Sequence, residues 1–514
     1  MNIVQRFLID KRAISNLIYY FLLIISGILW GLGQWPQFFF IRFFGLIPFL
    51  YIVFYRKHYI LETIIFGTIA YSINFYWLFF TFKESGKMSI FLSVLIILIL
   101  CIYYSLQYPI IAFIYKKFYN FNKKILFYSL PVIFVTIDAT FFKLFKHSIA
   151  DSQISFTYFV QLIDITGMSG LILIIMLINL GIFNILERLL KSKPIKWQHF
   201  LFVIPFFIAI IYGGVRIDQL KNDMKKANYV LGAMIQGNIT GKQKLDENYW
   251  NTNIERYNRL TKESTLGDTP DVIIWPESIF NRSYNGNPEF IQKVIFENYP
   301  PLILGIVVWL PDNKITNSAL LIEKKRVVSQ YDKQILLMFG EYVPFEKNFP
   351  FLRYLTPLRS NTSPGKTSSI FNIKEIKAAL TICFEDLFPD LVRKKVNEGA
   401  NIMINLTNDS WYGNTIGPIH HSIIARLRAI ENRRAFFRCT ATGFTTASDI
   451  TGKVVASGNM FTEEIVKAKL PLYTKRTIYS YIGELLTNIC IFTVIMITLT
   501  ILGIYFRKKK YRYL

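Results

Sequence analysis

Three side chains of different chemistry each follow a short apolar run in this chain. Cys383 closes Ala378-Ala379-Leu380-Thr381-Ile382 and opens the acidic turn Cys383-Phe384-Glu385-Asp386; Glu277 follows Val272-Ile273-Ile274-Trp275-Pro276; Lys333 follows Val327 to Tyr331 and Asp332. A thiol on the turn between a buried strand and a helix is held rigidly yet open to a cleft, where helix-terminal N–H groups favour the thiolate. Such a nucleophile needs a base to take its proton and a cation to hold the thiolate and a later oxyanion, and a carboxylate and an ammonium are the types that do so. Taken singly, each residue has a plainer reading: a small buried hydrophobe for the cysteine, solvated surface charges for the other two. A disulfide to Cys439 is a further alternative, because Cys101 and Cys490 lie in predicted membrane spans and leave these two cysteines as the pair outside them. Three such groups at strand ends of one domain point to nucleophilic catalysis.

The elements that would position them alternate between strand and helix. Residues 229–235, 272–275, 302–308, 319–322, 378–382, 402–406 and 445–449 read as short buried strands. Residues 246–262, 289–297, 390–398 and 419–434 read as helices, the last with Arg and Glu on one side and Ile, Leu and Ala on the other. This order predicts an α/β domain over 216–480 with helices packed on sheet, large enough to bury its own core.

The rest of the chain is of another kind. Its 514 residues are 52% hydrophobic and 16% aromatic, too apolar for a soluble enzyme of this size. Apolar stretches long enough to cross about 30 Å of hydrocarbon occur near residues 14–33, 37–55, 60–82, 89–115, 126–142, 168–187, 198–215 and 483–506. The first is too long for a cleaved leader and lacks a small-residue cleavage pattern before Trp35-Pro36, so it reads as a retained span. The organisation predicted is seven helices in 1–215, the α/β domain in 216–480, and an eighth helix with a basic tail in 481–514.

Charge distribution orients this layout. Of the formal +24, residues 216–480 hold 35 Lys and Arg against 26 Asp and Glu, while the remainder holds 23 against 8. One set of span ends carries Arg6, Lys11, Arg12, Arg56, Lys57, Lys116, Lys117, Lys123, Lys124, Arg188, Lys191, Lys193, Lys196 and the tail from Arg507 to Arg512; the opposite ends carry only Lys83, Lys87, Lys143 and Lys146. By the positive-inside rule both termini are cytoplasmic and the α/β domain lies on the far face. The basic tail is an orientation signal and a contact for anionic lipid, which excludes a nucleic-acid arm.

The motifs Trp275-Pro276-Glu277, Tyr331-Asp332-Lys333 and Cys383-Phe384-Glu385 resemble those of the nitrilase, or carbon–nitrogen hydrolase, superfamily. Gln236-Gly237-Asn238, Phe339-Gly340-Glu341-Tyr342-Val343-Pro344, Asn408-Asp409-Ser410-Trp411-Tyr412-Gly413 and Gly417-Pro418, with the span layout, narrow the resemblance to the apolipoprotein N-acyltransferase family. That resemblance implies an αββα sandwich on the periplasmic side of a bacterial inner membrane, attached to a polytopic bundle of about eight spans. It implies Cys383 as nucleophile, Glu277 as general base and Lys333 on the oxyanion side, supported by Glu341 and Glu385, with Phe384, Tyr342 and Trp411 facing substrate. It also implies a phospholipid acyl donor, a diacylated apolipoprotein acceptor, a thioester intermediate, a monomer, and no metal or organic cofactor.

The sequence departs from the family pattern in three places. Phe384 replaces a usual tyrosine, Leu245 a usual tryptophan, and Ala441-Thr442-Gly443 an Asn-rich turn. The run Leu336 to Phe339 and the stretch Phe345 to Leu358 are unusually apolar for a loop and read as a lid dipping toward the bilayer. His420-His421 lack metal-ligand spacing, and Asp386 and Asp409 read as turn or cap residues. The alternatives from other classes are a membrane-anchored amidase or nitrilase, which shares the triad, and a catalytically silent scaffold, which needs none of it.

Overall fold

The computed structural model describes residues 19–123, 126–240, 243–244, 246–280, 283–294, 299–310, 312, 314–355, 361–366 and 370–510. Leu245, Lys124, Arg6, Lys11, Arg12 and Arg512 lie outside the described residues, as does the start of the first predicted span.

Each apolar stretch of the sequence has a helical counterpart. Among the described residues, five helices are long and apolar enough to cross a bilayer: Pro36–Tyr55, Ile90–Phe121, Met168–Leu190, Trp197–Met224 and Leu485–Arg507. A sixth candidate is the pair Tyr59–Phe75 and Leu78–Glu84, bent by 66° at its break; Tyr19–Leu32 and Leu126–Thr140 are shorter. The helix Trp197–Met224 runs past residue 215, so the predicted edge of the α/β domain falls inside a continuous helix. Its polar end is anchored to that domain, with Asp223 accepting from Tyr473 Oη at 2.6 Å and pairing with Lys475 at 2.7 Å.

The α/β domain holds two six-stranded sheets among the described residues. In chain order the strands are β1 Tyr229–Gln236, β2 Val272–Ile274, β3 Leu302–Trp309, β4 Ile315–Glu323, β5 Arg326–Asp332, β6 Ile370–Ile373, β7 Ile376–Ile382, β8 Ile402–Thr407, β9 Ala435–Thr440, β10 Thr446–Ser448, β11 Val454–Ser457 and β12 Glu464–Pro471. One sheet runs β12-β1-β2-β3-β4-β5 and the other β11-β10-β9-β8-β7-β6. In each, three central strands are parallel, β1-β2-β3 and β7-β8-β9, and the flanking pairs are antiparallel.

Alternation along the strands sorts side chains to two faces. Val230, Met234, Ile274 and Ile303 meet Leu380, Ile382, Ile404 and Phe437 between the sheets. On the outer face of the first sheet, Ile235, Ile273, Trp275 and Leu304 pack under Trp250, Ile254 and Tyr257 of the helix Trp250–Ser264. On the outer face of the second, Ala379, Met403 and Phe436 pack under Val392, Ala425 and Ala429 of the helices Pro389–Asn397 and Gly417–Asn432. Helix, sheet, sheet and helix therefore stack in four layers. Burial on both faces is why the central strands read as unbroken apolar runs.

The domain and the membrane helices share a buried polar junction. Arg433, in the left-handed conformation just after Gly417–Asn432, donates from Nε at 3.0 Å and Nη2 at 2.9 Å to Asp164 Oδ2, and from Nη1 to Gln161 Oε1 at 2.6 Å. Asp164 also accepts from Arg216 Nε at 2.8 Å and Tyr212 Oη at 2.7 Å. At the 66° break, Trp77 packs edge-on against Tyr412, with ring centroids 4.8 Å apart.

Candidate active site

β2, β5 and β7 end at one place, and the residues that follow them meet there. Pro276 ends the β2 ladder, and Gly305 on the neighbouring β3 lets the turn fold back: a Cβ there would lie 2.6 Å from Glu277 Cα and from Pro276 O. Lys333 follows β5 directly, its N–H donating to Asn317 O at 2.8 Å as the ladder ends. Cys383 follows β7 with φ +52°, a left-handed conformation that costs a non-glycine residue energy and is held only where surroundings dictate it.

Lys333 is 1% exposed, Glu277 7% and Cys383 8%. Lys333 Nζ lies 3.5 Å from Glu277 Oε1 and 2.9 Å from Glu341 Oε2. Asn317 on β4 joins the two carboxylates, since its Nδ2 donates to Glu277 Oε1 at 2.7 Å and to Glu341 Oε1 at 2.9 Å. Ser278 Oγ donates to Asn317 Oδ1 at 3.2 Å and fixes which way that amide points. Burial works against the charge on Lys333, but the carboxylates of Glu341 and Glu277 outweigh it and hold its pKa above that of an ordinary lysine.

The thiol responds in the other sense. Burial, and then the charge of Glu277, push Cys383 above the usual thiol range, against a smaller lowering by Lys333. The expectation that the turn favours a thiolate is corrected here. The five-residue turn Cys383–Leu387 is too enclosed, and too near a carboxylate, for helix-terminal N–H groups to prevail. At neutral pH the group rests as a thiol. Among the described residues all four cysteines are free, so the alternative of a Cys383–Cys439 disulfide is not realised. Cys439 is buried in the inter-sheet core, its Sγ 3.2 Å from Ile274 O.

Glu385 ties the cysteine turn to the lysine segment. It is fully buried and accepts from Tyr331 Oη, from the N–H groups of Gln334 at 2.6 Å and Ile335 at 3.1 Å, and from Ile382 N–H at 2.9 Å. Behind it, Lys395 Nζ stands 3.5 Å from the Tyr331 ring centroid and donates to Leu380 O. Burial pulls Lys395 down to about 8.

A cavity of about 1000 Å³ lies beside this cluster, between the α/β domain and the membrane helices. Phe384, Leu336, Met338 and Tyr342 line it on one side; Met168, Ile172 and Ile491 line it on the other. Trp411 stands apart from that lining, near Lys244, whose Nζ is 5.9 Å from its ring centroid. Lys244 is depressed by burial, although the charges of Glu277, Glu341 and Cys383 act to raise it. Among the described residues no group of His, Cys, Asp and Glu is arranged to hold a metal ion.

Sequence reasoning missed Asn317, Lys395 and the partners of His421. Thr316-Asn317-Ser318 reads as the polar lead-in to a strand, whereas β4 starts at Ile315 and carries all three into the core. Lys395 and Arg438 did leave a signal, because each is a cation within an otherwise buried pattern.

The αββα sandwich with Glu, Lys and Cys at converging strand ends, joined to apolar helices, defines a membrane-attached enzyme of the carbon–nitrogen hydrolase class. The carbon-nitrogen hydrolase family matches residues 233–479, and the apolipoprotein N-acyltransferase N-terminal domain matches residues 26–181. The chain belongs to the apolipoprotein N-acyltransferase family. It is similar to the apolipoprotein N-acyltransferases of Geobacter metallireducens, 26% identical over 83% of each chain, and Chlorobaculum tepidum, 26% identical over 94% of this chain and 96% of the other. The corresponding protein of Haemophilus influenzae is 26% identical over 94% of this chain and 95% of its own. Among solved structures, Saccharomyces cerevisiae Nit3, a member of branch 10 of the nitrilase superfamily, aligns over 49% of this chain and 93% of its own with TM-score 0.35 and 22% identity.

Proposed function

We propose that this enzyme moves an sn-1 fatty acyl chain from a membrane phospholipid to the α-amino group of the diacylglyceryl-cysteine at the N-terminus of an apolipoprotein. The observation that carries this reading is the position of the Cys383, Glu277 and Lys333 cluster beside a large cavity walled partly by membrane helices. Glu277 takes the Cys383 proton, and the sulfur attacks the ester carbonyl carbon. Lys333, together with backbone N–H groups near Phe384, holds the oxyanion. Collapse breaks the acyl C–O bond, and the proton passes from Glu277 to the departing lysophospholipid oxygen. The acceptor amine then attacks the thioester carbonyl and gives its proton to Glu277. The amide forms as the C–S bond breaks, and the thiol is restored.

Glu341 and Asn317 serve by holding Lys333 and Glu277 in place, and Glu385 by holding the cysteine turn. Phe384 and Tyr342 contact lipid in the cavity, while Trp411 and Lys244 border the site on another side. Water must stay out while the thioester exists. The stretch from Phe345 supports a lid for that purpose: Phe345 is 74% exposed and Tyr354 90%, an arrangement suited to an apolar environment.

The chain acts as a monomer with three parts: seven spans to about residue 215, the catalytic domain to about 480, and one closing span. Both termini are cytoplasmic and the catalytic domain is periplasmic, in a bacterial inner membrane. The imbalance of Lys and Arg between the two sets of span ends supports that orientation.

The test is to charge the purified enzyme with phospholipid, remove the excess, and add a diacylated lipopeptide. N-acylated lipopeptide in step with loss of the enzyme-bound acyl group is the expected result. Release of free fatty acid alone, with lipopeptide unchanged, would instead indicate the membrane-anchored hydrolase.

A further inference from the structure

His421 is placed in a way that neither its sequence neighbourhood nor the triad explains. Its Nε2 lies 2.9 Å from Asp386 Oδ1 and its Nδ1 3.0 Å from Asp409 Oδ1. With a carboxylate oxygen against each ring nitrogen, the ring can donate on both sides, an arrangement that favours the imidazolium. Asp409 Oδ2 accepts in turn from Arg438 Nη2 at 2.9 Å. The four side chains alternate in sign, and all are more than nine-tenths buried.

They join separate pieces of backbone around the nucleophile. Asp386 lies in the turn Cys383–Leu387, Asp409 in the turn Asp409–Tyr412 after β8, Arg438 in β9, and His421 in the helix Gly417–Asn432. Gly443 allows the chain to close on Asp409, because a Cβ there would lie 2.6 Å from its carboxylate oxygen. Asp409 and Arg438 are also electrostatically coupled to Cys383: the carboxylate opposes the thiolate, and the guanidinium and the thiolate favour each other. Four buried charges are a poor way to gain stability alone.

We propose that His421 is a positioning residue for acyl transfer: it locks the turn bearing Cys383 to the Asp409–Tyr412 turn, and its positive charge offsets the carboxylates beside the nucleophile. This rests on Cys383 being the reacting group, as in the acyl-transfer reading.

The groups facing His421 define what else titrates nearby. Asp386, Asp409, Arg438 and the Tyr412 ring, 6.4 Å away, come from the α/β domain. A small cavity of about 70 Å³ beside it is also lined by Lys146, His147 and Asp151, and by its neighbour His420, which burial pushes down to about 4. The carboxylates act to raise His421, and although burial opposes them, it stands at about 9.

The test compares the full-length wild type, His421→Gln, Asp386→Asn and the double variant. It follows iodoacetamide alkylation of Cys383 against pH together with N-acylation kinetics. His421→Gln is expected to shift the alkylation profile upward by about one pH unit, a tenfold slower reaction at a fixed pH below the thiol pKa. It is expected to lower kcat by roughly 10²-fold with KM for phospholipid unchanged. Asp386→Asn is expected to shift the profile the other way, and the double variant to recover part of the loss by removing one charge of each sign. An unmoved alkylation profile in both single variants, or a double variant no better than His421→Gln, would overturn the proposal. Should His421→Gln fail to fold, Asp386→Asn alone decides: faster alkylation supports the proposal and an unchanged rate refutes it. Alkylation needs no acyl donor, so absence of acyl transfer in the wild type would count against the proposed function and leave the His421 result readable.

Discussion

Tyr331 donates its hydroxyl to both carboxylate oxygens of Glu385, at 2.9 Å each, and so binds the end of β5 to the turn that carries Cys383. The lysine and cysteine of the candidate site belong to different sheets, and this contact keeps their loops in register. Glu385→Ala would leave the N–H groups of Gln334, Ile335 and Ile382 without their carboxylate acceptor. At 1–3 kcal/mol for a stranded buried group, and with partial relaxation, we expect roughly 3 kcal/mol of destabilisation, read as a lower melting temperature in detergent. Glu385→Gln keeps an acceptor and is expected to lose less.

Asn317 is the joint between two carboxylates that would otherwise repel each other. Asn317→Ala is expected to reduce kcat for N-acylation by about 10²-fold, comparable to loss of one preorganised donor, and to lower the melting temperature as well, because Ser278, Glu277 and Glu341 each lose a buried partner. Asn317→Asp, which adds a third carboxylate beside Lys333, is expected to do worse in the same assay.

Much of this arrangement was legible from sequence, and the parts that were not have common causes. Strand ends at Glu277 and Cys383 could be read because β2 and β7 are buried central strands that stop abruptly at polar turns, whereas Lys333 ends β5, an antiparallel edge strand of mixed burial, and was legible only from the polar stop that follows Tyr331. Strands β6, β9, β11 and β12 were not read. β9 carries Arg438 into the core and follows immediately on a helix, while β12 alternates Lys467 and Lys469 with apolar residues in a segment that resembles loop. The clamp on His421 was invisible because its partners, Asp386 and Asp409, are brought together by tertiary structure across 35 and 12 residues.

His421 also predicts a pH dependence of stability. Its folded pKa of about 9 stands above the ordinary histidine value of 6.5. The contribution is therefore complete below about pH 6.5 and is lost as pH rises through about 9. The shift corresponds to about 3 kcal/mol. Lys395 at about 8 and Glu431, raised to about 8 by burial, titrate in overlapping windows. The measurement is therefore the difference in unfolding free energy between wild type and His421→Gln, which should shrink steadily from pH 6.5 to 9.

At the junction with the membrane helices the two partners of one ion pair are not equivalent. Asp164 neutralises both Arg433 and Arg216, whereas Arg433 has additional acceptors in Gln161 and Ile450. Asp164→Ala leaves both guanidinium groups without their carboxylate, although Arg433 keeps Gln161 and Ile450 and Arg216 keeps Gln219, and is expected to cost about 3 kcal/mol. Arg433→Ala leaves Asp164 paired and should cost less. Thermal unfolding of both variants in the same detergent checks the order.

Acyl transfer through Cys383 is read directly by intact-protein mass spectrometry after incubation with phospholipid labelled in the sn-1 acyl chain. The wild type should gain the mass of one labelled acyl chain, the label should map by peptide analysis to Cys383 and be released by neutral hydroxylamine, and Cys383→Ala and Glu277→Ala should gain none. A wild-type enzyme that N-acylates lipopeptide without ever bearing the label on Cys383, or a Cys383→Ala variant that turns over normally, would contradict the account.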